Sequence, residues 1–92
     1  MIKIKFYSLI RMHLGINEIE INTDSVTIIE LLQITEKQIN QKFIDQLIDN
    51  NKQIIPGTMI LINGRNIFHL DKLGSLVQEN DEVSIFPPGG GG

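Results

Sequence analysis

The chain has no cysteine and no tryptophan, one tyrosine, four phenylalanines and three prolines in 92 residues. Without cysteine no disulfide holds the fold, no thiolate attacks a substrate, and no thioester forms on a side chain. Any sulfur chemistry has to occur on some other atom. The two histidines, His13 and His69, are not in metal-ligand spacing, so no metal is expected. Basic residues are few: eight Lys and Arg stand against eleven Asp and Glu, for a net charge of −3. They are scattered from Lys3 to Lys72, and nucleic-acid binding needs a clustered basic face, so no nucleic-acid partner is expected. No apolar run approaches the ~20 residues of a membrane helix, and the lysine-bearing, alternating start is not a signal peptide. The expectation is a cytoplasmic protein with no membrane partner.

A chain of 92 residues is one domain. At this size it buries roughly 60–65% of its unfolded surface, enough for one modest core with no room for a deep internal active site. Hydrophobic residues at 41% and charged residues at 21% are ordinary for a globular protein.

Glycine is concentrated at the end, in Phe86-Pro87-Pro88-Gly89-Gly90-Gly91-Gly92. Such a run is also the composition of a plain flexible end. Its position, directly after an apolar strand and two prolines, suggests more. A segment without Cβ atoms passes through a channel too narrow for other residues. Its last group is expected to be the free α-carboxylate of Gly92, which becomes an electrophile once activated as an acyl adenylate. From Pro87 to Gly92 the chain spans at most about 20 Å. Ordering four glycines costs ~4–8 kcal/mol at ~1–2 kcal/mol each, so a folded body has to dock and offset that cost.

Strict alternation in residues 2–6 predicts a half-buried strand, with Ile2, Ile4 and Phe6 on one face and Lys3 and Lys5 on the other. Tyr7 to Leu14 reads as a connection leading to a turn at Gly15. Ile19 and Ile21, with Glu18 and Glu20 between, restore the alternation, and the two strands read as a hairpin. Thr27 with Glu30 forms a capping box and starts a helix. Thr35 with Gln38 suggests a second box, and the spacing of Ile39, Phe43, Ile44, Leu47 and Ile48 predicts a second helix to about Asp49. Thr58 to Ile62 is an apolar strand. It meets Asn63-Gly64, a tight hairpin turn, with a short return over Asn66 to His69. Asp71 is expected to cap a brief turn that buries Leu73 and Leu76. Glu82 to Phe86 is the last strand, with Val83 and Ile85 inward and Phe86 outward. Pro87 and Pro88 end its pairing. This order of elements is α+β. The domain is drawn at 1–86, with 87–92 as a flexible tail.

The segments Ile2-Lys3-Ile4-Lys5-Phe6-Tyr7 with Arg11 and Gly15, Leu61-Ile62-Asn63-Gly64-Arg65-Asn66-Ile67, and Asp81 to Pro88 followed by Gly91-Gly92 carry a resemblance. The chain resembles the ubiquitin-like sulfur carriers, and among them the small subunit of molybdopterin synthase. The resemblance spans the chain and is most specific at the ending. It implies a ubiquitin-like β-grasp fold: a mixed sheet of about four to five strands on one main helix plus a second helix, with first and last strands parallel. It also implies the chemistry. A ubiquitin-activating-type adenylating enzyme uses ATP to adenylate Gly92, and a sulfur donor converts it to a thiocarboxylate. The tail, Gly89, Gly90 and Gly91 included, threads into the large subunit of molybdopterin synthase. There the sulfur passes to the pterin precursor of the molybdenum or tungsten cofactor. The resemblance further implies that the chain itself is a non-catalytic sulfur-donating subunit that binds no cofactor.

Phe86, Pro87 and Pro88 are the candidate docking residues. Arg11 and Arg65 match the family pattern and are candidates for pairing with an acidic partner. The sequence departs from the usual ending at Gly89 and Gly90, where other residues are common. The segment from Thr35 to Ile55 is longer and more polar than in the shortest carriers, which disfavours a thiamine-pathway carrier. Other acceptors, in thiamine, cysteine or transfer-RNA pathways, stay open. So do conjugation of Gly92 to lysines of target proteins and an inert-tailed interaction module.

Overall fold

Branched and aromatic residues alternate with lysines in the first strand, so one face of it can be buried while the other stays in water. β1 (Ile2–Phe6) buries Ile2, Ile4 and Phe6 and leaves Lys3 and Lys5 half-buried. In the computed structural model, which describes residues 1–89, β1 lies between two partners. β2 (Glu18–Ile21) pairs with it antiparallel and β7 (Glu82–Phe86) pairs with it parallel. β4 (Met59–Ile62) pairs antiparallel with the other edge of β7. β5 (Arg65–Asn66) completes a five-stranded sheet in the order β2-β1-β7-β4-β5. β3 (Val26–Thr27) and β6 (Leu76–Val77) form a separate two-stranded ribbon. The parallel union of first and last strands in a mixed sheet is the ubiquitin-like β-grasp arrangement.

The main helix, α2 (Ile28–Ile39), begins where the capping box places it. The Glu30 amide donates to Thr27 Oγ1 at 3.3 Å, and the Thr27 amide donates to Glu30 Oε1 at 2.9 Å. The Thr27 amide, and the Thr27 hydroxyl donating to the same Oε1 at 3.0 Å, hold the Glu30 carboxyl below its ordinary value of 4.5. Ile28, Leu31 and Leu32 are fully buried in one core with Ile4, Phe6, Ile60, Val83 and Ile85. Burial on this scale contributes about 1.5–3 kcal/mol for each large apolar side chain.

The fold does have a second helix, but not the one the apolar spacing suggested. Thr35 lies inside α2, fully buried, with its hydroxyl donating to the Leu31 carbonyl at 2.7 Å. The helix stops at Asn40, whose φ of 56° is left-handed. The Glu36 carboxylate then accepts the amides of Phe43 and Ile44 at 2.7 and 2.9 Å and turns the chain into a 3₁₀ turn, Ile44–Gln46. Phe43 still reaches the core, edge-on to Phe6 with ring centroids 5.4 Å apart. The second helix is α1 (Ser8–Leu14), in the stretch read as a connection. It buries Ile10 and Leu14 and ends at Gly15, φ 70°, whose amide donates to the Arg11 carbonyl.

The Asn63-Gly64 turn forms as the sequence indicates. Both residues have positive φ, 49° and 84°, and Ile62 pairs with Arg65 across them. Leu76, expected inside, is 60% exposed; pairing of β6 with β3 turns its neighbour Val77 inward instead. Asp71 gives no side-chain cap to the turn Lys72–Gly74.

Candidate functional site at the root of the tail

β7 is central in the sheet, with β1 on one side and β4 on the other, so the tail leaves from a strand held along both edges. The amide of Tyr7 donates to the Ile85 carbonyl at 3.1 Å and adds one more rung beside the strand's end. Val83 and Ile85 point into the core, and the alternation places Phe86 on the outer face, half-buried. The ring of Tyr7 stacks on it, and Met59, 36% exposed, is its partner across the β4 pairing. Leu61, opposite Ser84, extends the apolar strip along the same face. The rest of that face is charged: Lys3 Nζ lies 3.7 Å from Glu18 and Lys5 Nζ 3.5 Å from Glu82. These pairs are open to solvent on one side, so they add little stability and keep that half in water.

Packing does not stop at Phe86. Pro87 is buried, Pro88 is half-buried, and Gly89, at φ 70°, is exposed. Pro88 rests against a turn over residues 55–58. Thr58 donates its amide to the Ile55 carbonyl at 3.0 Å, with Pro56 second and Gly57 third at φ 96°. That residue order and positive φ match a type II turn. The turn is tied down through Leu47, whose carbonyl accepts the Ile55 amide at 2.9 Å and the Thr58 hydroxyl at 3.4 Å. A Cβ at Gly57 would lie 3.2 Å from Pro88 Cβ.

Gly90, Gly91 and Gly92, the expected threading residues and reacting carboxylate, lie outside the described residues. The two arginines are placed apart. Arg11, on α1, lines a shallow depression with Tyr7, Lys5 and Glu18, beside the tail root. Arg65 sits on β5 next to the Asn63-Gly64 turn, at the end of β4 away from Met59 and Phe86. Both are exposed, and neither is in an ion pair among the described residues.

Tyr7, Met59, Leu61 and Gly57 were not foreseen as part of this site. A signal existed for three of them. Tyr7 follows Lys3 and Lys5 onto the outer face. The unbroken run Met59-Ile60-Leu61-Ile62 cannot bury every residue on one side of a strand, so half of it must be apolar and outward. Gly57 acts through a contact with Pro88, distant in sequence, and had no local sign.

Chemically, the tail root offers apolar contact and main chain. Among the described residues no three His, Cys, Asp or Glu side chains are grouped to hold a metal ion, and no helix is long and apolar enough to cross a membrane. A groove of about 740 Å³ between α2 and the 44–52 segment is lined by Ile29, Ile44, Ile48 and Leu73 among others, and by none of the tail-root residues.

The residue pattern of the ThiS family matches residues 4–92. The "Putative sulfur carrier protein" of Archaeoglobus fulgidus is 31% identical over 85 residues, covering 90% of this chain and 96% of that one. Small archaeal modifier protein 3 of Haloferax volcanii is 28% identical over 92 residues, covering 99% and 98%. Among solved structures, a chain of the BexX/CysO complex of Amycolatopsis orientalis superposes over all of both chains with a TM-score of 0.80 at 17% identity, a likeness of fold.

Proposed function

The chain belongs to the ThiS family, with sulfur carriers and ubiquitin-like modifiers among its relatives, and from that premise we propose that it carries sulfur on Gly92 as the small subunit of molybdopterin synthase. The observation that carries the reading is the departure of the tail from the apolar end of an otherwise charged sheet face. That face supplies a docking patch at the point where the glycines leave. Pro87 and Pro88 already pack on the body. Threading therefore does not have to order Pro87 and Pro88, a saving of ~1–2 kcal/mol for each residue already fixed. Burying the strip of Tyr7, Phe86, Met59 and Leu61 against a partner offsets that, at roughly 25 cal/mol per Å² of apolar surface.

In this reading the Gly92 carboxylate attacks the α-phosphorus of ATP on an adenylating enzyme, and pyrophosphate leaves. A hydrosulfide-level donor then attacks the acyl carbon, AMP leaves, and a thiocarboxylate remains. The large subunit receives the tail, and sulfur passes to the pterin precursor. None of these steps uses a side chain of this protein, which accords with a cysteine-free chain.

The test is mass spectrometry of the chain after incubation with the adenylating enzyme, ATP and a sulfur donor. The mass should rise by the difference between sulfur and oxygen, and adding the large subunit with the pterin precursor should reverse that gain as dithiolene forms. An unchanged mass would overturn the reading.

A second reading is favoured by the relative named as a small archaeal modifier, which matches nearly the whole of both chains. The activated Gly92 would be attacked by a lysine amine of a target, releasing AMP and forming an isopeptide bond. Higher-mass species in cell extracts that vanish when Gly91 and Gly92 are deleted would support it.

A further inference from the structure

We propose that Gly57 is a positioning residue for the tail: its turn is a seat for Pro88 that, together with the Tyr7–Phe86 stack, aims the last glycines as they leave the body. The inference rests on the sulfur-carrier reading, in which the end of the tail must reach a partner's active site.

Two contacts bracket the exit. The first is the stack on Phe86, the last residue of β7. The second is Pro88 on Gly57, two residues later, with Pro87 buried between them. One contact would leave the chain free to swivel about it, whereas two define a direction. The prolines stiffen the path between them. Each fixes its own φ near −65° and restricts the residue before it to extended conformations.

Direction matters because the leash is short. With Pro88 seated, the chain from Gly89 to Gly92 spans at most about 14 Å, against about 20 Å for all six residues from Pro87. Slack of that size cannot make up for a wrong departure angle.

The seat requires glycine for two separate reasons. The backbone at residue 57 has φ 96°, which side chains with a Cβ rarely adopt. An added Cβ would also meet Pro88 Cβ at 3.2 Å and Pro88 Cα at 3.4 Å, so the proline has to give by a few tenths of an ångström. Hydrogen bonds from residues 55 and 58 to the Leu47 carbonyl hold the turn, so the tail is the part that gives way.

The experiment measures ATP–pyrophosphate exchange by the adenylating enzyme with the native chain, Gly57→Ala, Pro88→Gly and the double variant. Gly57→Ala leaves Tyr7, Phe86, Met59, Leu61 and both prolines in place as side chains, so its KM for the carrier should stay within about twofold while kcat falls by about 10-fold or more, the cost of misplacing a reacting group. Because Gly57 acts through Pro88, the double variant should be no slower than the slower single variant. Unchanged kcat in a folded Gly57→Ala, or losses that multiply in the double variant, overturn the proposal. Should Gly57→Ala fail to fold, Pro88→Gly touches the seat from the tail side and carries the same expectation of lower kcat, and unchanged kcat there overturns the proposal. A nuclear Overhauser contact between Gly57 and Pro88 protons tests the seat with no enzyme present, and its absence overturns the proposal. Failure of the native chain to support exchange would overturn the sulfur-carrier reading and this role with it. Exchange indifferent to Gly57 overturns this role alone.

Discussion

The ring of Tyr7 lies flat against that of Phe86, with centroids 4.3 Å apart and planes 11° from parallel. Tyr7 directly follows β1 and Phe86 ends β7, the two strands of the parallel pairing. A stacked aromatic pair contributes about 0.5–1.5 kcal/mol beyond its area. Tyr7→Ala, Phe86→Ala and the double variant, unfolded in urea, should give a coupling energy of about 1 kcal/mol. Phe86→Ala should also weaken binding to the adenylating enzyme, measured by titration calorimetry, because it removes one of the four side chains of the docking strip and the ring on which Tyr7 stacks. Affinity equal to the native chain's would show that the strip is not the docking surface.

Phe43 is fully buried and meets Phe6 edge-on. It is held there by an irregular segment whose two amides at residues 43 and 44 bond to Glu36. Phe43→Ala should cost about 3–5 kcal/mol, a large share of the ~5–15 kcal/mol that holds a small domain together. Thermal unfolding should show a melting temperature lowered by well over ten degrees, at ~4–8 °C per kcal/mol. Phe43→Leu, which keeps most of the volume, should lose much less.

Two glycines at positive φ separate stability from function. A Cβ at Gly64 would meet nothing within 4 Å, so Gly64→Ala is opposed by backbone strain alone, at about 1–2 kcal/mol. At Gly57 the same substitution also presses on Pro88. Gly64→Ala should therefore lower stability in denaturant titration and leave adenylation kinetics as in the native chain. A matching fall in kcat for Gly64→Ala would mean that kinetics follow stability, not tail direction.

The contrast between those glycines runs through the whole chain. Signals carried by neighbours in sequence were legible: alternation in β1, β2 and β7, the Thr27–Glu30 box, and the Asn63-Gly64 turn. Each is settled within a few residues, where sterics and local hydrogen bonds decide. The end of α2 was not legible, because the apolar spacing from Ile39 to Leu47 is compatible with a continued helix. What breaks it is Asn40 in a left-handed conformation and a Glu36 carboxylate that captures amides beyond the cap. α1 was missed because Ile10 and Leu14 are only one pair at helical spacing in a short segment. The two-residue strands β3 and β6 stabilise each other only after the chain has closed a long loop. In the candidate site, Phe86 facing outward followed from alternation, while its companions Tyr7, Met59 and Gly57 depend on pairing register and on a contact between distant segments.

Glu30 gives the fold a response to acid whose sign follows from its hydrogen bonds. The Thr27 amide and hydroxyl favour the charged carboxylate and hold it below 4.5 in the folded chain. In the unfolded chain that partner geometry is lost and the value is ordinary. Between the two values the unfolded state binds more protons, so stability rises with pH there. The contribution is complete above about 4.5 and disappears as pH falls through the lower folded value. Glu30→Gln keeps a side chain that can bond to the cap but cannot ionise. Its stability should differ from the native chain's at neutral pH, and the two curves should converge as the medium is acidified below that range. Thr27→Ala removes the cap oxygen itself and should cost about 1 kcal/mol at neutral pH. Part of that loss should persist in acid, because the Glu30 amide loses its acceptor whatever the charge on the side chain. Denaturant unfolding of the three proteins from neutral pH to strong acid checks both statements. A Glu30→Gln curve that runs parallel to the native one throughout would show that the carboxylate charge is not what the cap stabilises.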